Sequence, residues 1–218
     1  MLYLVRLCLC LIVAFNHYYE IVLQKTWLNN IISSQIAIDC FFIISGFLIY
    51  QSINRNDLIS FCRKRFARIV TPYLITVISM SIFAVLYTGM IDHELITYFI
   101  ANAIFLNFLA PDVYDVFGNN SITAFNGSLW TLKIEIAFYI TAAVIFYRYP
   151  KLQNVRTLLL VLTISIMLTM VASILKLPAS LERQFPFQFY KFAFGMLLAS
   201  YISLAQNNKF TIAKTVTL

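Results

Sequence analysis

Long apolar runs separated by short polar stretches make up most of the chain. Each run is close to the length of about 20 residues that an α-helix needs to cross roughly 30 Å of hydrocarbon. The pattern predicts six membrane-spanning helices, at residues 2–22, 31–52, 70–90, 127–147, 157–176 and 188–205. The predicted fold is therefore an all-α, polytopic transmembrane helical bundle.

A shorter apolar run, residues 95–109, is ambiguous. At about 1.5 Å per residue it extends only about 22 Å, so we expect a re-entrant or interfacial segment and not a seventh span. The Asn-, Asp- and Gly-rich residues around it predict a long outer segment at 91–126. We treat residues 1–218 as one membrane domain, because no part of the chain is long enough to form a separate soluble domain.

Composition agrees with a membrane protein. Hydrophobic residues make up 61% of the chain and charged residues 11%, whereas soluble domains are about half apolar and about a quarter charged. The formal net charge of +7 does not imply nucleic acid, since basic loops set the orientation of membrane proteins. The four cysteines lie in or beside apolar segments without metal-ligand spacing, so they are interpreted as small apolar fillers and no metal site is expected. Membrane lipid is the predicted partner of the apolar helices.

Positive charge predicts the orientation. The predicted loop 53–69 carries five basic residues, so it should face the cytoplasm. Two spans precede this loop, which places the N-terminus in the cytoplasm as well. If residues 95–109 do not span, the basic loop with Arg148, Lys151 and Arg156 is also cytoplasmic; if they span, it lies outside. We prefer six spans.

The first span contains two ionisable residues on one face. Arg6 and His17 are eleven residues apart, which is about three turns and about 16 Å, and Glu20 continues the stripe. With the N-terminus inside, Arg6 should lie at the cytoplasmic edge and His17 in the outer half. Arg6 alone would be a snorkelling, orientation-setting charge. The shared stripe instead favours a bundle interior or a wet cavity.

The second span carries Asp39 near its outer end, with Gln35 one turn earlier on the same face. A carboxylate in that position costs a few kcal/mol unless it is paired or hydrated. Asp39 is therefore either functional or a helix-start residue in the headgroup zone. Gly46, two turns below Asp39, predicts close approach of another helix.

The fourth span begins with a polar stripe, Ser128, Thr131, Glu135 and Tyr139, at helical spacing. Glu135 lies about two turns below the outer end. A lone buried carboxylate would become neutral. A cavity shared with His17 would let Glu135 stay charged and orient the imidazole.

Arg65 and Arg68 are separated by three residues, so they share a face if the segment is helical. One interpretation is positive-inside charge that contacts only lipid. The other is a phosphate clamp, because guanidinium groups bind phosphate oxygens bidentately. Charge density alone does not decide between them.

These four stretches together resemble the membrane-bound acyltransferase-3 family, which O-acylates bacterial surface and secreted sugars. Arg6 and His17 match its R-x10-H pattern, and "IDCFFIISGFLI", which contains Asp39, matches its D-x-F-F-x-x-S-G-F-L stretch. The order and spacing of the motifs agree along residues 6–139.

The other two motifs continue the match. "RKRFARIVTPY" supplies the R-x-x-R segment at Arg65 and Arg68. "SLWTLKIEIAFY" matches the S-L-W-S-L-x-x-E-x-x-F-Y stretch from Ser128 to Tyr139, including Glu135. Members usually have more spans than this chain, so the resemblance implies a short or C-terminally incomplete member.

The resemblance implies an O-acyltransferase of the bacterial inner membrane. Its co-substrate would be cytoplasmic acyl-CoA, most simply acetyl-CoA, and its acceptor a hydroxyl of a cell-surface or secreted carbohydrate. His17 would act as general base or accept the acyl group first. Glu135 and Asp39 would be its catalytic partners, holding the imidazole.

The remaining predicted site residues fall into two groups. Those expected to bind the CoA phosphates are Arg6, Arg65 and Arg68. Those expected to bind substrate are Ser128, Trp130 and Tyr139. Two rival functions stay open: a transporter of a small polar molecule with His17 and Glu135 as a proton relay, and an inactive assembly subunit.

Overall fold

The computed structural model describes residues 2–21, 31, 33–107, 109–110, 112–113, 116 and 129–216. Its regular elements are helices, with no strand in these ranges, which confirms the all-α class. The helices are α1 Leu2–Ile21, α2 Ser34–Arg55, α3 Leu58–Thr88, α4 His93–Ala103, α5 Trp130–Arg148, α6 Val155–Ile174, α7 Ala179–Glu182 and α8 Phe185–Val216. A 3₁₀ turn, Pro150–Gln153, joins α5 to α6.

Within the described ranges, four helices are long and apolar enough to cross a membrane: α2, α3, α5 and α6. The six-span count itself stays a prediction. The short α4 has 11 residues, about 16 Å of rise, so it is too short to cross the hydrocarbon. Asp92 fixes its start, because its carboxylate accepts a hydrogen bond from Leu95 N at 2.8 Å.

Helix α3 begins earlier than the sequence predicted. Asp57 caps its N-terminus by accepting a hydrogen bond from Ser60 N at 3.2 Å, so only Asn56 and Asp57 separate α2 from α3. The predicted loop 53–69 is therefore mostly helical, and its arginines have fixed helical spacing. Pro72 lies inside α3.

The capping hydrogen bonds also change the pKa of the Asp57 carboxyl. The hydrogen bonds from Ser60 lower the pKa of the Asp57 carboxyl, since they favour its charged form. A lowered folded-state pKa means that this capping contribution is present at neutral pH. It is lost as the pH falls through the pKa of the folded state.

The two short connections α2–α3 and α5–α6 lie at the same end of the bundle, which we call the basic end. Tyr147 donates a hydrogen bond to Asn56 O at 2.7 Å, and Tyr50 Oη lies 3.2 Å from Gln153 O. Helix α3 therefore starts at the basic end and α5 finishes there. The residues between these two helices thus begin and end on the same side of the bundle. The opposite end, where α2 and α5 begin, we call the distal end.

Helices α2 and α8 meet backbone to backbone at the centre. A Cβ atom at Gly46 would lie 2.0 Å from Phe192 O, and one at Gly195 would lie 1.9 Å from Ile43 O. The close approach predicted at Gly46 is confirmed, while Gly195 was not singled out. Stacked rings continue the core, with Phe138 and Phe192 centroids 4.5 Å apart.

We predict that Gly46→Ala destabilises the bundle by about 1–3 kcal/mol or more, because the clashing atom is backbone and cannot rotate away. Thermal unfolding of the purified protein in detergent measures the effect. Ile36→Ala, on an exposed position of the same helix, is the control and should change the melting temperature less. Equal melting temperatures for Gly46→Ala and the wild type would contradict this packing.

Candidate active site

Glu135 of α5 is the centre of a buried polar network. Its residue is 8% exposed, and its Oε1 accepts a 2.6 Å hydrogen bond from Ser45 Oγ of α2. The Tyr139 hydroxyl, one turn further along α5, donates to the same oxygen. Arg6 Nη2 of α1 lies 3.5 Å from it as an ion pair. Three helices therefore supply the groups that stabilise one carboxylate.

The network lies near the middle of the helices. Ser45 is ten residues before Arg55, the last residue of α2, which corresponds to about 15 Å. Arg6 meets Glu135 at this depth and lies 5.6 Å from the centroid of the Phe41 ring. The position of Arg6 at the cytoplasmic edge of the membrane stays a prediction. Its ion pair with a buried carboxylate stabilises Arg6 inside the bundle, because each charge neutralises the other.

His17 does not share the network. It lies eleven residues beyond Arg6 on α1, about 16 Å away along the helix axis. Its side chain is half-buried, and the described part of the chain offers it no hydrogen bond or ion pair. Arg6, from the other end of the same stripe, is the residue of α1 that pairs with Glu135, and the cavity joining His17 to Glu135 stays a prediction.

Arg65 extends the network toward the basic end. Its guanidinium lies 5.5 Å from the Tyr139 ring centroid and 5.7 Å from that of Phe61, within the range of cation–π attraction. Arg65 Nε and Arg6 Nη1 are both buried and have no hydrogen-bond partner among the described residues. Arg68, one turn further along α3, is half-buried. Two buried donors therefore remain available for an anion or a carbonyl oxygen.

Asp39 has a different partner from the one expected. Lys191 Nζ of α8 donates to its Oδ1 at 2.6 Å, and Gln35 Nε2 donates to the same atom at 2.7 Å. Lys191 was missed by the sequence reasoning. The signal was available, because a lone lysine in the apolar run "FYKFAFGM" needs an internal partner for the same reason as Glu135.

The predicted substrate-binding residues are only partly described. Tyr139 belongs to the Glu135 network, and Ser128 lies outside the described residues. Trp130 is half-buried at the distal end, with its ring 6.4 Å from that of Phe42. The Arg183 guanidinium lies 5.6 Å over the Trp130 ring.

A groove of about 510 Å³ opens elsewhere, between α2, the 3₁₀ turn, α6 and α8. Its polar wall includes Tyr50, Gln153, Arg156 and Ser200. None of the lining residues belongs to the Glu135 network. The groove lies at the basic end and is separate from the candidate site.

Comparison with known proteins gives two curated relatives. An O-acetyl transferase of Shigella phage Sf6 is 29% identical over 212 residues, covering 90% of this chain and 61% of the relative. Nodulation protein 10 of Rhizobium leguminosarum bv. viciae is 30% identical over 129 residues, covering 55% of this chain and 35% of the relative. The chain thus spans about three-fifths or less of these relatives. No solved structure matches it.

The family comparison covers almost the whole chain. The acyltransferase-3 model, described as an acyltransferase domain, matches residues 2–215. This range includes every motif from Arg6 to Tyr139, and the chain therefore belongs to the acyltransferase-3 family.

Proposed function

We propose that this chain is an integral membrane O-acyltransferase, which moves an acyl group from acyl-CoA to a hydroxyl of a cell-surface or secreted carbohydrate. Acetyl-CoA is the simplest donor. The observation that carries the proposal is the buried network of Arg6, Ser45, Glu135 and Tyr139, within a chain of this family. The name of the phage relative, an O-acetyl transferase, supports the same reaction class.

The orientation follows from the basic end. Arg55, Arg148 and Lys151 cluster around its two short connections, and the positive-inside rule favours the cytoplasm for such an end. The N-terminus then faces the cytoplasm and the membrane is the bacterial inner membrane. Acyl-CoA arrives at the basic end, and the carbohydrate arrives at the distal end.

Three arginines bind different parts of the acyl-CoA donor. Arg65 and Arg68 lie in the half of α3 next to the basic end and bind phosphate oxygens of CoA, for which guanidinium is the best-matched side chain. Arg6 lies beside Glu135, with Nη1 available. It donates to an oxygen atom of the extended donor, which passes this level on its way to His17. Glu135 holds Arg6 in place, and Ser45 and Tyr139 hold Glu135.

His17 performs the proton transfer at the distal end. It takes the proton of the acceptor hydroxyl while the hydroxyl oxygen bonds to the thioester carbonyl carbon. The C–S bond then breaks, and the proton passes to the departing CoA thiolate. Alternatively, the imidazole accepts the acyl group first. In both routes the thioester must reach His17, so the depth of this residue favours CoA extended through the bundle.

We expect His17→Ala to lower acetyl transfer from radiolabelled acetyl-CoA to glycan by about 10²- to 10⁴-fold, the usual contribution of a general base. The protein should still accumulate in the membrane. His93→Ala, on the short helix α4, is the matched control and should keep full activity. Retained transfer in His17→Ala would reject the catalytic role.

This assay also separates the rival functions. A transporter would move a small polar molecule and leave the label on CoA. An inactive assembly subunit would do neither.

We expect Arg65→Ala with Arg68→Ala to weaken acetyl-CoA binding by about tenfold or more, because charge-assisted hydrogen bonds to phosphate are lost. Isothermal titration in detergent measures the dissociation constant. Arg63→Ala with Lys64→Ala removes the same charge from exposed positions of the same helix and should have a smaller effect, as should Lys151→Ala. Equal effects would show that Arg65 and Arg68 only set the orientation.

A further inference from the structure

The distal end carries a second charged site, formed by Asp39 of α2 and Lys191 of α8. Lys191 Nζ donates to Asp39 Oδ1 and to Gln188 Oε1, each at 2.6 Å. Gln188 in turn donates to Glu182 O at 2.7 Å. The lysine is 6% exposed, so its ammonium group is desolvated and depends on these hydrogen bonds for stabilisation.

The two oxygens of the Asp39 carboxylate are used unequally. Lys191 and Gln35 both donate to Oδ1, and no described residue donates to Oδ2. The Asp39 side chain keeps 33% of its exposure, against 7% for Lys191. A carboxylate has about four acceptor sites on its two oxygens, and the described residues occupy only the two on Oδ1, which leaves Oδ2 for a ligand that carries O–H donors.

The surroundings of Asp39 suit a polyhydroxylated ligand. Asp39 precedes Phe42 by one turn, and the Phe42 ring contacts Trp130, which lies under Arg183. Lys133 Nζ donates to Gln184 Oε1 at 3.1 Å nearby on α5 and the α7–α8 turn. Carboxylate, ammonium and amide groups beside an aromatic ring can match the mixed donors and acceptors of a sugar.

The site also lies at a useful depth. Asp39 is six residues before Ser45 on α2, about 9 Å toward the distal end. It therefore lies between the Glu135 network and the distal end of the bundle, further from the basic end than Arg65.

We propose that Asp39 Oδ2 binds a hydroxyl of the carbohydrate acceptor. Lys191, Gln35 and Gln188 are positioning residues that keep the carboxylate charged and aimed. This assignment rests on the proposed function, and it replaces the sequence-based role of Asp39 as a partner of the imidazole.

A purely structural reading of the same ion pair is that it ties α2 to α8. A charge swap, Asp39→Lys with Lys191→Asp, separates the two readings. The swap keeps opposite charges facing each other across the helices, so a tie would survive. It moves the carboxylate onto α8 at a buried position, so an acceptor site would be lost.

The experiment uses the purified full chain, radiolabelled acetyl-CoA and polysaccharide of the source strain deacetylated with base. KM is measured separately for glycan and for acetyl-CoA. We expect Asp39→Asn to raise the glycan KM by about tenfold or more, the loss expected for one hydrogen bond to a charged group. The KM for acetyl-CoA should not change. Asp39→Glu should retain part of the affinity for glycan that Asp39→Asn loses. Lys191→Arg should retain more of this affinity than Lys191→Met.

The charge-swap variant should show the same raised glycan KM as Asp39→Asn. A wild-type glycan KM in the swap variant would overturn the assignment and show that the ion pair only holds α2 against α8. If the swap variant does not fold, Asp39→Asn decides alone. A monodisperse Asp39→Asn protein with an unchanged glycan KM overturns the acceptor assignment and leaves the proposed function standing. Wild-type protein that transfers no label to glycan overturns the proposed function, and the acceptor assignment falls with it.

Discussion

The buried carboxylate of Glu135 sets the arrangement of the helices around it. A charge in an apolar bundle is costly unless an opposite charge and hydrogen-bond donors satisfy it. Here Arg6, Ser45 and Tyr139 supply them, from α1, α2 and α5. Each of these helices must therefore sit at a set depth and rotation, since a shift of one turn, about 5.4 Å, would leave both charges unpaired.

Helix α2 connects this network to the rest of the bundle. One side of α2 carries Ser45 toward Glu135, and the next residue, Gly46, meets the backbone of α8. Further toward the distal end, Asp39 pairs with Lys191 of α8. The buried charges thus form two layers, and each charge is neutralised by a neighbouring partner because water cannot solvate it inside the bundle.

The sequence predicts which residues are inside the bundle better than it predicts which of them meet. Apolar run lengths located the helices, and the small size of Gly46 identified a close crossing. The start of α3 was missed because the Asp57 cap, and not hydropathy, fixes it. The Arg6–Glu135 pair was missed because periodicity gives the face of a helix but not its depth relative to a helix 130 residues away. Lys191 was overlooked because a single charge hardly changes the hydropathy of a long apolar run.

The eleven-residue spacing of Arg6 and His17 acquires a meaning from these depths. Three turns bring the two side chains back to one face of α1, so both look toward the same side of the bundle at two levels about 16 Å apart. Arg65, Tyr139, Glu135 and Arg6 form a polar line from the basic end to the lower level. His17 marks the other level. In the proposed function, this spacing would place a binding group in the middle of the bundle and the base near the outer surface, and an imidazole directly paired with the Glu135 carboxylate would not need it.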